Sequence, residues 1–109
     1  MVLFRRQLGD VLRSERMRRG MTLRELSSEA RISLGYISEI ERGQKEASSE
    51  LLASLCEALD LPLSEVLREV SDSIALEEAR QALEREVTSV EVPNVASRRT
   101  PGDVVASAA

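Results

Sequence analysis

Between Gly20 and Ser48 the chain is punctuated at short intervals by signals that stop and start helices. This restricts it to a fold of short helices joined by tight turns. "TLRE", Thr22 to Glu25, is a capping box. In such a box the threonine hydroxyl accepts from the backbone N–H three residues on, and the glutamate reaches back to the threonine N–H. Gly20, just before it, suits the C′ position that closes a preceding helix. Ser33 and Ser48 are further N-cap residues, and Gly43 between them is a second stop.

Apolar spacing fills the intervals. Leu8, Val11 and Leu12, followed by Glu15 and Arg16, repeat at helical spacing and predict a first helix over 3–19. The capping box opens a second helix running to about residue 29, with Leu23, Leu26 and Ala30 inward. A third is predicted over 34–42, with Ile37 and Ile40 on the core. A fourth follows over 49–59, buried through Leu52, Leu55, Cys56 and Leu59. "DLP" breaks it, and Pro62 suits the start of a fifth helix over 63–70. "SDS", Ser71 to Ser73, marks a weak break. Beyond it an amphipathic segment runs over 74–87, with Leu76, Leu83 and Val90 seven apart and Ala79 and Val87 between them. After Val92 the composition shifts to prolines, a glycine and small residues, which predicts a disordered tail. The expected organisation is a domain over 1–70, a C-terminal helix over 71–91 and a tail over 92–109.

Composition supports an all-α fold. Phe4 and Tyr36 are the only aromatic residues, so the core must be built from Leu, Ile, Val and Met, and helix formers dominate. There is no histidine, which removes the commonest general base and metal ligand. An enzyme is not expected, nor a metal or other cofactor. Cys56 is the only cysteine, which rules out an intrachain disulfide and fits a reducing, cytoplasmic setting. No run of apolar residues is long enough to span a bilayer, and the N-terminal residues lack the features of a signal peptide. Charge is uneven. Residues 1–47 carry ten Arg plus Lys against seven Asp plus Glu, whereas residues 48–92 carry three against eleven. Such asymmetry points to nucleic-acid contact by the basic half.

Two short helices joined by a few residues define a helix-turn-helix. The span from Leu8 to Leu67 resembles the Cro/CI (XRE) family of helix-turn-helix DNA-binding domains. The motifs that carry the resemblance are "LG..LR..R...G.T" from Leu8, "EL" at Glu25 and Leu26, "YIS.IERG" from Tyr36 to Gly43, and the leucine spacing of the fourth helix. The resemblance implies a lambda-repressor-like five-helix domain plus a C-terminal amphipathic helix. "RISLGYISEIERGQKEASSELL" further resembles regulators in that family that activate genes for Clp protease and its chaperones in a stress response.

On this resemblance the third helix enters the major groove. Ser33, Leu34, Gly35, Tyr36 and Glu39 become the candidates for base contact. Leu34 offers apolar contact to a thymine methyl, Gly35 close approach, Tyr36 its hydroxyl, and Glu39 an acceptor for cytosine N4. The plainer alternatives are that Leu34 packs under the turn, Tyr36 is a half-buried anchor and Glu39 is a solvated charge. Arg24, Arg31, Arg42, Gln44 and Lys45 are the candidates for phosphate contact, or else ordinary surface residues. Arg16 and Glu41 occupy positions that form an internal ion pair in the family. Two departures stand out. Leu23 replaces a common glutamine, and Arg31 replaces a common glycine in the turn.

The implied partner is double-stranded DNA with a palindromic operator, bound by a homodimer. Leu76, Ala79, Leu83 and Val87 are the dimerisation candidates, unless they fold back on their own domain. The terminal "VASAA" resembles the Ala-Ala ending of tags recognised by Clp-type proteases, which makes Ala108 and Ala109 a candidate degradation signal or simply an inert end. An antitoxin or protein-interaction adaptor on the same fold is the competing functional class.

Overall fold

A computed structural model describes residues 1–89, and among these every regular element is an α-helix. The elements are α1 (Phe4–Arg18), α2 (Leu23–Ala30), α3 (Leu34–Glu41), α4 (Ser49–Ala58) and α5 (Leu63–Ser89). The expected tail, Val90, and Ala108 with Ala109 lie outside the described residues.

The caps act as their residue types dictate. The Thr22 hydroxyl accepts from the Glu25 N–H at 3.0 Å, and the Thr22 N–H donates to the Glu25 carboxylate at 2.8 Å. Ser33 caps α3 by accepting from the Tyr36 N–H, and Ser48 caps α4 by accepting from the Leu51 N–H, each at 3.2 Å. Each bond satisfies a backbone donor that the first turn leaves without a partner. Gly20 and Gly43 take left-handed φ values of 67° and 72° after α1 and α3.

Two compact units divide after Glu78. In Met1–Glu78 the core gathers Leu8, Val11 and Leu12 of α1, Leu26 of α2, Ile37 and Ile40 of α3, Leu55 and Cys56 of α4, and Val66 and Val70 of α5. Cys56 behaves as a small hydrophobe, and burial pushes its thiol pKa up, which keeps it unreactive. In the second unit the described residues are the last turns of α5, where Arg80 pairs with Glu84 at 2.9 Å.

The weak break expected at Ser71–Ser73 does not occur. The segments expected over 63–70 and 74–87 form one helix of 27 residues. No Gly or Pro lies within it, and Ser and Asp each cost only about 0.5 kcal/mol in a helix interior. Packing offsets that cost: Val70 is buried, Ile74 rests on the core, and the Ser73 hydroxyl bonds the Gln7 side chain on α1.

A carboxylate that the helical spacing of α1 sets in line with Leu8, Val11 and Leu12 is buried between α1 and α5. Glu15 is 1% exposed. Burial raises its pKa, but a hydrogen bond with Glu69 and the charges of Arg19 and Arg18 outweigh this and hold it below the ordinary value. Glu69 moves the other way. Its hydrogen bond to Glu15, then burial, then the Glu15 charge raise its pKa, so it is the member that keeps a proton. A raised folded pKa gives stability that is lost as pH rises through it, and a lowered one gives stability lost as pH falls through it. The pair is therefore strongest between the two values, with Glu15 ionised and Glu69 protonated. Glu69→Gln, which donates at any pH, should remove the alkaline loss. Melting curves taken as pH rises from the ordinary carboxylate range should show the variant gaining on the parent; parallel curves would refute the raised pKa of Glu69.

Candidate DNA-binding surface

α2 and α3 are set at their angle by a three-residue turn that the sequence strains. Arg31 takes φ 60° and ψ 44°, the left-handed region that non-glycine residues avoid. The Ile32 N–H bonds the Ser27 carbonyl at 3.2 Å and the Ser27 hydroxyl bonds the Ile32 carbonyl at 2.5 Å, so the turn is pinned from both sides. The Arg31 side chain projects to solvent with no partner among the described residues. Arg31→Gly should raise stability by about 1 kcal/mol by relieving the left-handed penalty. It should weaken DNA binding if the guanidinium meets a phosphate. A denaturation curve and a binding isotherm on the same variant separate the two effects.

α3 buries Ile37 and Ile40 and turns its first residues outward. Ser33, Leu34 and Gly35 are exposed, and a Cβ built on Gly35 would meet nothing within 4 Å. Nothing inside the protein demands a glycine there. Tyr36 is half-buried, and its hydroxyl donates to the Glu46 carbonyl at 3.0 Å. It thus ties α3 to the following loop and leaves only its oxygen lone pairs for an outside partner. Glu39 is half-exposed, and its carbonyl accepts from the Gln44 N–H at 2.9 Å.

The flanks supply positive charge. Arg24 lies in the first turn of α2, and Lys45 in the loop after α3, both exposed. Arg42 caps the end of α3, bonds the Ser38 hydroxyl, and donates to Gln44 Oε1 at 3.2 Å. The loop itself is anchored by Arg5, which donates to the Gly43 carbonyl at 3.1 Å and approaches Glu46 at 3.6 Å.

Arg16 and Glu41 join α1 to the end of α3. Arg16 donates through Nε and Nη2 to the two carboxylate oxygens at 2.8 and 3.0 Å, and through Nη1 to the Met21 carbonyl at 2.8 Å. The side chains are 12% and 6% exposed. The bond to Glu41 outweighs burial and raises the Arg16 pKa, so the guanidinium stays charged. Beside this pair Gly9 lets the helices touch: a Cβ there would lie 2.4 Å from the Ile40 carbonyl oxygen and 2.7 Å from that of Glu41.

Reading by sequence passed over Arg6 and Arg13. Both sit on the exposed face of α1 and line a concavity with Asp10, Leu23, Arg42 and Gln44. Their spacing of seven, with Asp10 between, was the available signal; on an isolated helix it reads only as a solvated face.

A capped helix, a pinned turn and a second helix offering its N-terminal residues, all held by α1 and α4, define a DNA-binding helix-turn-helix domain of the XRE type. The chain belongs to the helix-turn-helix family, whose profile matches residues 12–66. It is similar to the transcriptional regulator ClgR of Mycobacterium tuberculosis, with 59% identity over 76 residues, spanning 70% of this chain and 68% of that protein. The crystal structure of the clp gene regulator ClgR from Corynebacterium glutamicum superposes with a TM-score of 0.74 at 50% identity, covering 80% of this chain and 95% of that one. The restriction-modification controller protein C.AhdI from Aeromonas hydrophila gives a TM-score of 0.56 at 27% identity, covering 57% of this chain and 94% of that one.

Proposed function

We propose that the protein binds a palindromic operator as a homodimer and activates genes for Clp protease and its chaperones in a stress response. The observation that carries operator reading is the open space at Gly35. Glycine in a helix costs about 0.5–1 kcal/mol relative to alanine, and no internal contact here requires it. Close approach of a DNA edge to α3 supplies the reason. Ser33, Leu34 and Glu39 then face the bases with it, while Arg24, Arg31, Arg42, Gln44 and Lys45 hold phosphates. Tyr36 contributes through its oxygen. Readout falls mainly on shape and thymine methyl contact, because the exposed side chains are small or apolar.

Selection of bound sites from random DNA tests this directly. A palindrome with half-sites about one helical turn apart supports the reading; no enrichment over the input pool defeats it. Gly35→Ala should bind the selected site more weakly although its helix is more stable.

Support for the homodimer comes from exposed apolar residues on α5: Leu76, Leu83 and Val87 are 73%, 60% and 68% exposed, and Ala79 is exposed between them. Leu83→Asp combined with Val87→Asp should sediment as a monomer, and an unchanged dimer would exclude this face. Regulation of Clp genes rests on the likeness to ClgR. Loss of Clp transcripts on deletion of the gene, restored by the intact chain, is the result expected of an activator; raised transcripts would mark a repressor. The Ala108–Ala109 end, if a Clp-type protease reads it, gives the regulator a short life, and Asp at both positions should lengthen it. Equal half-lives would leave the end inert.

A further inference from the structure

We propose that α1 supplies a phosphate clamp, in which Arg6 and Arg13 join Arg42 around one phosphodiester of the DNA backbone. The proposal rests on the DNA-binding reading above and assigns a role to a helix that this reading leaves as scaffold.

Arg6 and Arg13 are exposed and have no hydrogen bond or ion pair among the described residues. Of the four arginines at the concavity, Arg16 spends its charge on Glu41, whereas Arg42 bonds only the neutral Ser38 hydroxyl and Gln44 side chain. The backbone places Arg6 beside the loop that follows α3, and Arg13 lines the same concavity two turns further along α1. A Cβ on Gly43 would lie 2.9 Å from Arg6 Cα, so the first turn of α1 packs directly under that loop. The wall contributed by α2 is Leu23, whose side chain has no polar atom. The charged donors that face the concavity thus come from α1 and from the end of α3. A guanidinium grips a phosphate through two N–H groups at once, which suits these side chains to a phosphodiester.

Asp10 shares the concavity and works against the clamp. It lies one turn from each arginine, four residues after Arg6 and three before Arg13, yet forms no ion pair within 4.0 Å with either. An unpaired carboxylate at this distance weakens an approaching phosphate without blocking it. With Arg16 and Glu41 paired to each other, three cationic side chains remain against one anionic one, which leaves the site attractive.

The test is the salt dependence of binding by the full chain to labelled duplex DNA of random sequence. Phosphate contacts are independent of sequence, so the operator need not be known. Arg6→Gln and Arg13→Gln should each reduce the slope of log affinity against log salt by about 0.9, and the double variant by about twice that. Arg13→Lys should keep the slope. Asp10→Asn should bind severalfold tighter at low salt, an advantage that fades as salt screens it. A clamp that acted only on folding would not produce tighter binding by Asp10→Asn. Unchanged slopes in the two glutamine variants, with the parent still binding, overturn the clamp alone. Failure of the parent to bind any duplex overturns both the clamp and the DNA-binding reading.

Discussion

Glu41→Ala is expected to lower the unfolding free energy by about 3–5 kcal/mol. The substitution strands the guanidinium of Arg16, a side chain 12% exposed in the intact protein, with only the Met21 carbonyl to answer it. Desolvation of that charge, more than loss of attraction, sets the magnitude. Arg16→Met combined with Glu41→Leu should recover most of the loss, because an apolar pair of similar volume carries no charge to strand. Thermal melts of the single and double variants decide the matter. A single variant whose melting temperature falls by less than a few degrees would mean that the pair contributes no more than a surface bridge, about 1 kcal/mol at most.

Gly9→Ala is the second large effect, and its sign is unusual. Alanine in a helix is ordinarily more stable than glycine by about 1 kcal/mol. Here the added methyl would meet the carbonyl oxygens of Ile40 and Glu41 at 2.4 and 2.7 Å. Both are backbone atoms that cannot swing aside, so α1 must part from α3. Overpacking of this kind costs about 1–3 kcal/mol. The displacement falls at the end of α3 that carries Glu41 and Arg42, so operator affinity should drop along with stability. Gly20→Ala makes a useful contrast: its Cβ meets nothing, and its cost comes only from the left-handed φ of 67°. A Gly9→Ala protein as stable as the parent would show that the helices have room to separate.

The caps and core were legible because each is a local pattern. Thr22 with Glu25, Ser33 and Ser48 announce helix starts within one turn of chain, and the apolar positions of α1 to α4 follow a fixed period. What escaped is set by residues distant in sequence. Glu15 gives no sign in α1 that Glu69 of α5 will share its proton. The polar run at Ser71–Ser73 resembles a break until Gln7 and the packing of Val70 and Ile74 hold the helix through it. Tyr36 stays open between base contact and half-buried anchor until the Glu46 carbonyl is folded back onto it. Arg6 and Arg13 were visible as charges, but only the loop packed onto α1 through Gly43 makes them the wall of a concavity. The left-handed Arg31, by contrast, leaves a local sign, since it replaces a common glycine in a turn that strains any other residue.

The loop after α3 is already fastened when DNA arrives. Arg5 holds the Gly43 carbonyl, Tyr36 holds that of Glu46, and Arg42 holds the Gln44 side chain. A loose loop would surrender conformational entropy on docking, and that loss would subtract from affinity. This one has surrendered it during folding. Stability and affinity thus draw on the same three tethers, and loosening any of them would appear in calorimetry as a less favourable entropy of association.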